Sequence, residues 1–301
     1  MTVLTGSLQL GMMYGLLAMG VFISFRILNT PDLTAEGSFT LGVATSAMVT
    51  LAGAPFLGLL VAFLCGMAAG AITGLLQTKV GVHPILAGIL TMSGLYTVNL
   101  AVMGASANVT LIGKETLYQR MFAALAPLPK DTVKLLVGLA LAALLLGLLI
   151  WFFKTHVGLC IRATGNNEAM VRSSSINASA MKIIGLAVSN GCIALSGAIV
   201  AQYQGYADIS SGIGILVVGL ASVIIGEAVL GRRGVTLGLF SAIVGSVLYR
   251  FIISLALSTN VFPAYFLKLI SAVIVGVALS IPTIKAALAK QRQRREGRRD
   301  A

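Results

Sequence analysis

Few side chains in this sequence have the types and spacing that catalysis or metal binding requires. The two histidines, His83 and His156, are isolated, and the chain has no HExxH or GxSxG motif and no pair of carboxylates on one helix face. The three cysteines, Cys65, Cys160 and Cys192, offer neither a disulfide framework nor the spacing of metal ligands. The pattern argues against an enzyme and predicts that the cysteines are small packing residues.

One segment resembles a nucleotide-binding loop only superficially. Residues 226–233 have the sequence Gly-Glu-Ala-Val-Leu-Gly-Arg-Arg. They lack the lysine followed by Ser or Thr that a phosphate-binding loop needs, and they end an apolar stretch. We therefore expect this chain to hold no ATP and no other cofactor of its own.

A polar, basic segment at residues 154–182 separates two apolar stretches that are each long enough to cross a bilayer. Glycine and asparagine suit a turn between two short helices, because both tolerate unusual backbone angles. Structureless loops of this length are uncommon, so the segment is predicted to be ordered and to contact a partner protein, with a solvated linker as the alternative. The residues expected at the turn and its contacts are Arg162, Gly165, Asn166, Asn167 and Glu168.

The elements that must position these residues are membrane helices. Of the 301 residues, 57% are hydrophobic and only 10% are charged. A bilayer core of about 30 Å is crossed by about 20 apolar residues in a helix. This rule predicts an all-α polytopic membrane protein with nine spans, at about residues 3–27, 33–52, 55–78, 84–104, 132–153, 183–204, 213–230, 235–257 and 264–284.

Lysine and arginine are distributed unevenly between the loops that join these spans. Cytoplasmic loops keep an excess of basic residues, and here one set of alternate loops holds most of them, while the other set holds only Lys114, Arg120, Lys130 and Lys134. The N-terminus is therefore predicted outside, and the C-terminus and the segment 154–182 in the cytoplasm. The charge is scattered and not collected on one folded face, which argues against nucleic acid as a partner.

Two regions follow from this topology. Residues 1–285 are expected to form a transmembrane domain, and residues 286–301 a basic cytoplasmic tail. A basic segment next to a membrane is attracted to anionic lipid headgroups. The tail is interpreted as a topology anchor, with binding to anionic lipid or to an acidic partner as the alternative.

Charged residues within the predicted spans need an explanation, because a charge at mid-bilayer costs at least about 2.5 to 3.5 kcal/mol. Arg250 and Lys268 lie in the outer thirds of their helices, where snorkelling to the headgroups and a functional role are both open. Glu227 is close in sequence to Arg232 and Arg233, and a local ion pair with them is predicted, with a role in transport as the alternative.

Small residues recur at fourfold spacing in the apolar stretches. Examples are Gly66, Gly70 and Gly74, and Gly11 with Gly15. This spacing lets neighbouring helix backbones approach closely. It predicts tight helix packing and by itself indicates no chemistry.

Two short segments of similar composition precede apolar stretches. They are Asp32-Leu-Thr-Ala-Glu-Gly37 and Asp208-Ile-Ser-Ser-Gly212, which the predicted topology places on opposite membrane faces. An inverted-topology repeat would leave such a pair. Helix capping explains it equally well, because Asp, Ser and Thr are favoured where helices begin.

Several longer runs carry a family resemblance. The most specific are residues 158–170, Gly-Leu-Cys-Ile-Arg-Ala-Thr-Gly-Asn-Asn-Glu-Ala-Met, and 221–227, Ala-Ser-Val-Ile-Ile-Gly-Glu. Others are residues 25–42, 176–177, 181–191, 195–198, 201–205 and 245–250. Together they resemble the permease subunits of ATP-binding-cassette (ABC) importers for branched-chain amino acids, and most closely the branch predicted to handle tryptophan or tyrosine. Ser175 and Asn166 depart from that family, which usually has glycine and aspartate there.

The resemblance implies an all-helical permease in the inner membrane of a bacterium. Its implied partners are a second permease, two cytoplasmic ABC ATPases that bind the ATP, and an extracytoplasmic substrate-binding protein. Closure of the ATPases would push on the segment 154–182 and switch access to the path. A second, identical copy, and hence a homodimer, is the expected pairing.

By similarity, the start of the second predicted span looks like a broken-helix entrance to the substrate path. The residues expected to line that path are Asp32, Glu36, Ser38 and Phe39. Helix capping and packing is the alternative role for the same residues. For the chain as a whole, the alternative is a secondary carrier or channel, but ion-coupled carriers usually keep buried acidic residues near mid-span, and this sequence has few there.

Overall fold

The computed structural model describes residues 2–231 and 234–258, and after them the isolated positions 269, 272, 273 and 276. The helices are α1 (Thr2–Phe22), α2 (Thr34–Leu51), α3 (Pro55–Leu75), α4 (Pro84–Val102), α5 (Leu117–Ala124), α6 (Lys130–Lys154), α7 (His156–Asn166), α8 (Glu168–Ser173), α9 (Ala178–Gln204), α10 (Ile215–Leu230) and α11 (Gly234–Ser258). Two short strands, β1 (Asn108–Thr110) and β2 (Tyr206–Asp208), form an antiparallel pair.

The predicted membrane helices and the observed ones agree closely where the structure describes the chain. Each of the first eight predicted spans is a helix whose ends differ from the prediction by a few residues. Six of these helices are long and apolar enough to cross a membrane, whereas α2 is more polar and α10 has only 16 residues. The ninth predicted span, Lys268 within it, and the predicted tail at 286–301 lie outside the described residues.

The helices run alternately between two ends of one bundle. The end that carries α7 and α8 is called the loop end, and the end that carries α5 and the β1–β2 pair is called the hairpin end. The strand pair joins the connection after α4 to the connection after α9, because Asn108 pairs with Asp208 and Thr110 with Tyr206. Two loops predicted on one membrane face are therefore hydrogen-bonded to each other.

Helices α1 and α9 form the centre of the bundle. Side chains such as Met13, Leu17 and Ile193 are fully buried there. Helices α3, α4 and α6 instead expose apolar side chains, including Leu60 and Leu144, along much of their length. In a membrane such faces contact lipid tails, which are as apolar as leucine.

Glycines allow α3 to lie directly against α9, as their spacing predicts. A Cβ added at Gly66 would lie 2.6 Å from the Asn190 carbonyl oxygen, and one at Gly70 would lie 2.2 Å from the Leu186 carbonyl oxygen. Between α1 and α11, a Cβ added at Gly11 would lie 2.7 Å from the Val247 Cα, and one at Gly15 would lie 3.3 Å from the Ile243 side chain. The prediction of tight helix packing is confirmed at these glycines.

Candidate functional site

The connection between α1 and α2 enters the bundle as an irregular segment. Residues 28–33 are not helical, yet Leu28, Thr30 and Asp32 are buried, and Asn29 has a positive φ of 51°. Irregular backbone at membrane depth is tolerated only where it is buried in protein or lines a cavity. We call residues 28–33 the buried interruption; its position agrees with the broken-helix entrance that the resemblance implied.

Asp32 fixes the buried interruption to the central helix. Its side chain is fully buried, and the two carboxylate oxygens accept hydrogen bonds from the Thr34 backbone N–H at 2.9 Å and from Asn190 Nδ2 at 2.6 Å. Asn190 lies near the middle of α9 and also donates to the Leu186 carbonyl at 3.0 Å. Within the described residues, no lysine or arginine forms an ion pair with Asp32. Asp32 therefore both accepts a hydrogen bond from the first turn of α2 and lies deep inside the bundle.

A chain of hydroxyl groups extends from the same place into the neighbouring helices. Thr34 Oγ1 lies 2.7 Å from Thr73 Oγ1 on α3, which in turn lies 3.0 Å from Thr91 Oγ1 on α4. All three side chains are buried. The start of α2 is therefore held by polar contacts to α3, α4 and α9.

Glu36 lines the larger of two cavities beside α2. This cavity, of about 430 Å³, lies between α2, α4 and residues 209–213. One Glu36 carboxylate oxygen accepts a hydrogen bond from the Gly214 backbone N–H at 3.0 Å, which directs the half-buried side chain towards α10. Asn99 Nδ2 donates to the Gly37 carbonyl at 3.2 Å, whereas its buried Oδ1 has no hydrogen-bond partner among the described residues. The cavity is therefore lined by a carboxylate, and the unsatisfied acceptor of Asn99 is buried beside it. For the rest, its lining includes the polar Thr40 and Ser93 and the larger side chains Met92, Tyr96, Ile209 and Ile213.

Phe39 and Ser38 occupy other positions around α2. The Phe39 ring stacks on the Tyr14 ring, with centroids 6.1 Å apart, and borders a second cleft of about 220 Å³ that also contains Asp208. Ser38 is fully buried, its Oγ has no partner within the described residues, and neither Ser38 nor Asp32 lines these two cavities. Of the four predicted path residues, Glu36 and Phe39 face cavities.

The two acidic segments that suggested a repeat contact each other inside the bundle. A Cβ added at Gly212 would lie 2.1 Å from the Glu36 carbonyl oxygen, next to the bond between Glu36 and Gly214. Asp208 accepts from the Ser210 backbone N–H at 2.6 Å, as Asp32 does from Thr34. The segments thus share a local turn, and the second contacts the first through Gly212 and Gly214.

At the loop end, α7 and α8 form a short helical pair, which agrees with the ordered segment that was predicted. Thr155 caps α7 by accepting from the Gly158 N–H, and Asn167 caps α8 by accepting from the Met170 N–H at 3.0 Å. Asn166, Asn167 and Met170 are exposed, with 65% of Met170 accessible. The tip of the pair is therefore free to meet another protein surface.

Glu168 joins the α7–α8 pair to the first turns of α9. Its two carboxylate oxygens bind Arg172 at 2.8 Å and Lys182 at 2.5 Å. These hydrogen bonds, to Lys182 first and then to Arg172, lower the pKa of the Glu168 carboxyl. The charge of Glu168 is thus largely used within the chain, and its main structural effect is to hold α8 against α9.

The turn chemistry of this region differs from the prediction. Gly165 lies in α7 without a positive φ, and a Cβ added there would lie 1.8 Å from the Ile27 carbonyl oxygen. Its small size serves close contact with the π-helical turn Ile23–Ile27 that ends α1. The left-handed position is Ser175, with φ of 60°, at the place where the resemblance expects glycine. The prediction that Gly165 forms the turn is therefore wrong.

Arg162 lines a third cleft at the loop end, together with Arg26 and Asn166, where α7 meets the end of α1 and the start of α11. Arg26 binds Glu227 at 2.6 Å, a pair that joins the end of α1 to α10. Arg26 is distant from Glu227 in sequence, and the predicted local pair of Glu227 with Arg232 and Arg233 lies outside the described residues. Helix packing brought the two ends together.

Arg250 also lies differently from the snorkelling interpretation. Its guanidinium carbon is 3.8 Å from the centroid of the Tyr14 ring, so the side chain covers an aromatic face inside the bundle. A cation above such a ring is attracted by the negative charge of the ring face. Arg250, Tyr14 and Phe39 thus form one stack between α11, α1 and α2.

Sequence reasoning missed Asn99, Asn190 and Tyr96. The two asparagines are buried in helices that are otherwise apolar, a signal that was present in the sequence, because polar residues inside a span usually have a specific partner. Tyr96 gave no such signal, since a tyrosine in an apolar helix is ordinary. Tyr96 and Glu36 line the same cavity only because α4 packs against α2.

Comparisons with known proteins agree with this architecture. Residues 3–278 match the family described as the permease component of branched-chain amino acid transport systems. A tyrosine transport system permease protein of Clostridioides difficile is 37% identical over 96% of this chain and 93% of its own length. An uncharacterized protein of Rickettsia prowazekii is 30% identical over 93% of this chain and 98% of its own length.

More distant similarity extends to permeases named for sugars. The D-allose transport system permease protein of Escherichia coli is 27% identical over 77% of this chain and 69% of its own length. No solved structure matches the chain. With its several apolar helices and its match over nearly the full length, the chain belongs to the family of permease components of branched-chain amino acid transport systems, as a multi-pass transport subunit of the bacterial inner membrane.

Proposed function

We propose that this chain forms the transmembrane path of an ABC importer for an amino acid with an aromatic or branched side chain. The observation that carries the proposal is the family match over residues 3–278, together with the 37% identity to a permease named for tyrosine. The buried interruption beside a cavity supports it, because transporters place solute sites where helices are broken inside the bundle. The chain contributes the path, and separate subunits bind and hydrolyse ATP.

The α7–α8 pair is the proposed contact for the ATPase. Its exposed tip, the position of Gly165 against α1 and the attachment of Glu168 to α9 support this role, because movement of the pair would displace both central helices. The residues proposed for coupling are Arg162, Gly165, Asn166, Asn167 and Glu168. The loop end is then cytoplasmic, the N-terminus is outside, and a ninth helix precedes a basic tail at residues 286–301.

The proposed path runs along α2. Glu36 and Phe39 line it from the two cavities, whereas Asp32 and Ser38 position the start of α2 from inside the bundle. The assembly is proposed to contain a second, identical permease, a substrate-binding protein at the hairpin end and anionic lipid near the tail. Residues 1–285 form its transmembrane domain, in which the turns at Asp32 and Asp208 are the proposed remnants of an inverted repeat.

Reconstitution with partner subunits tests the proposal. The chain, an ABC ATPase encoded beside it and the neighbouring binding protein are placed in liposomes, and uptake of labelled L-tyrosine, L-leucine and D-ribose is measured with and without ATP. We expect ATP-dependent uptake of an amino acid. Uptake by the chain alone under an ion gradient would favour a secondary carrier, and uptake of D-ribose only would favour the sugar permeases among its relatives.

Charge reversal then tests the coupling contact. Arg162→Glu is expected to lower ATP-dependent uptake and ATPase binding together, because the third cleft lies beside the proposed contact. Arg120→Glu is the matched control, since Arg120 lies at the hairpin end, where it bonds to Glu115 and to the Gly53 carbonyl. Equal loss of ATPase binding in both variants, or no loss of it in Arg162→Glu, would contradict the assignment.

A further inference from the structure

Two clefts of opposite character meet at Arg26. The first is the third cleft described above, which has a volume of about 200 Å³ and in which Arg26 lies with Arg162 and Asn166. The second, of about 280 Å³, lies between the end of α1 and α10, and we call it the apolar cleft. It is lined by Phe25, Arg26, Leu220, Val223 and Ile224.

The third cleft carries positive charge that the described chain does not neutralise. Half-buried Arg162 forms no hydrogen bond or ion pair with any described residue. Arg26 binds Glu227 through one of its nitrogens, and Glu227 lines neither cleft. None of the described residues around the third cleft is acidic, and the start of α11 forms a further wall, where a helix favours anions. The cleft therefore suits a negatively charged group.

The two clefts lie at different depths in the membrane. Arg26 is at the end of a span that finishes at Ile27, which places it near the lipid headgroups. Leu220 precedes Glu227, the partner of Arg26, by seven residues of α10, and is thus about 10 Å away along that helix at about 1.5 Å per residue. The charged cleft is at the membrane surface, and the apolar cleft extends towards the bilayer interior.

We propose that the two clefts together bind one anionic phospholipid, with its phosphate at Arg162 and Arg26 and an acyl chain in the apolar cleft. The inference goes beyond the proposed function, because it requires neither a solute nor an ATPase. A guanidinium group can bind a phosphate through two parallel hydrogen bonds, and the exposed Asn166 amide adds a neutral donor. Such a lipid would connect α7 to α1 and α10.

Other occupants use only part of this arrangement. A free phosphate ion or an acidic side chain of the ATPase would bind at Arg162 and leave the apolar cleft without a function. A nucleotide is too large for the third cleft, because sites for such molecules usually exceed about 300 Å³. Only an amphiphile with an anionic head matches a charged cleft and an apolar cleft that share one arginine.

Lipid titration of the full-length permease, purified in detergent without its ATPase, tests the site. Native mass spectrometry counts the molecules bound. The probes are dioleoylphosphatidylglycerol, dioleoylphosphatidylcholine, which has the same chains and no net charge, and glycerol 3-phosphate, which has no chains. We expect phosphatidylglycerol to bind at least about fivefold more tightly than either of the others, since one basic residue near a membrane surface contributes about that factor.

Arg162→Gln tests the contact with the headgroup. It should lower the affinity for phosphatidylglycerol about fivefold and leave that for phosphatidylcholine unchanged. The melting temperature without added lipid should not change, because Arg162 has no partner to lose among the described residues. Lys154→Gln is the matched control, since Lys154 is exposed at the same end of the bundle and lines neither cleft.

Leu220→Trp tests the contact with the acyl chain. The larger side chain fills the apolar cleft, so both phospholipids should bind severalfold more weakly to this site, whereas binding of glycerol 3-phosphate should not change. Val217→Trp is its control, because Val217 is 36% exposed on the same helix and does not line the cleft.

Equal binding of the two phospholipids, or an equal loss in Arg162→Gln and Lys154→Gln, would overturn the inference in favour of diffuse surface charge. If glycerol 3-phosphate binds as tightly as phosphatidylglycerol, or if Leu220→Trp behaves like Val217→Trp, the site takes a free anion and the inference fails. If Arg162→Gln weakens ATPase binding but not lipid binding, the occupant is an acidic side chain of the ATPase. In each of these cases the proposed transport function stands.

Discussion

Two of the connections between long helices, residues 28–33 and residues 166–177, are built in opposite ways. The buried interruption, residues 28–33, lies inside the bundle and is held by the bonds of fully buried Asp32 to Thr34 and Asn190. The second, residues 166–177, which we call the exposed interruption, lies at the loop end and is held by ion pairs of Glu168 near solvent. Hydrogen bonds shielded from water hold the buried interruption, whereas ion pairs screened by solvent hold the exposed interruption.

In the proposed function, this difference separates the position of the solute path from the movement driven by the partner. Buried polar contacts lose much free energy when broken, so the buried interruption keeps α2 and Glu36 in a defined position beside the cavity. Exposed ion pairs contribute little, so the exposed interruption can shift at low cost when a partner binds. Helix α9 connects the two interruptions. Lys182 in its first turns binds Glu168, and Asn190 at its middle binds Asp32.

The largest expected effect comes from removing the partner of Asp32. Asn190→Leu leaves a fully buried carboxylate with one hydrogen bond fewer, and we expect the free energy of unfolding to fall by about 2–3 kcal/mol. Thermal unfolding of the purified chain in detergent measures the change. The double variant Asp32→Leu with Asn190→Leu should lose less than Asn190→Leu alone, because the unpaired charge is gone. Equal losses of unfolding free energy in the single and the double variant would show that buried Asp32 is not stabilised by its hydrogen bond with Asn190.

The next effect concerns the contact between the exposed interruption and α1. Gly165→Ala places a Cβ against the Ile27 carbonyl, so α7 must move, at a cost of about 1–3 kcal/mol. We expect ATP hydrolysis by the reconstituted complex to persist while uptake per ATP falls severalfold. Gly147→Ala is the matched control, because Gly147 lies in α6 with nothing within 4 Å of an added Cβ. Unchanged uptake per ATP in Gly165→Ala would remove this contact from the coupling route.

Sequence reasoning located both interruptions but explained them only in part. Apolar run length placed the helices, because a bilayer sets their length and the loops are more polar. The contacts between distant segments could not be predicted in this way. Arg26 pairs with Glu227, and Asp32 with Asn190, only because α1 packs beside α10 and the buried interruption beside α9. Pattern along one chain carries no information on such pairings.

The candidate site shows the same limit. Glu36 and Phe39 were predicted at the path, and each lines a cavity, but a linear segment could not show that they line two different cavities. The role of Gly165 was assigned to backbone freedom, whereas its contact with Ile27 requires a missing side chain. Glycine serves both purposes, and only the φ angles separate them.

A smaller effect is expected at the left-handed position of the exposed interruption. Ser175 has φ of 60°, which costs a residue with a Cβ about 1–2 kcal/mol. Ser175→Gly removes that strain but adds freedom to the unfolded chain, so a net gain of about 0.5–1 kcal/mol is expected. Hydrogen exchange of residues 166–177 measures it as slower local opening. Ser173→Gly, at a helical position in α8, should instead accelerate opening.

The smallest effect belongs to Glu168 and depends on pH. Because Lys182 and Arg172 lower the pKa of this carboxyl, its ion pairs stabilise the folded loop above the carboxyl's ordinary pKa, and the contribution is lost as the pH falls through the lowered folded value. Glu168→Gln should therefore open faster than the native chain at neutral pH, by the equivalent of about 0.2–1 kcal/mol, and match it in acid. Added salt should narrow the gap at neutral pH, since it screens exposed pairs. Hydrogen exchange of residues 166–177 at two pH values and two salt concentrations measures both trends. If Glu168→Gln still opens faster than the native chain in acid, Glu168 holds α8 by packing and not by its charge. The exposed interruption would then not differ from the buried one in being held by ion pairs.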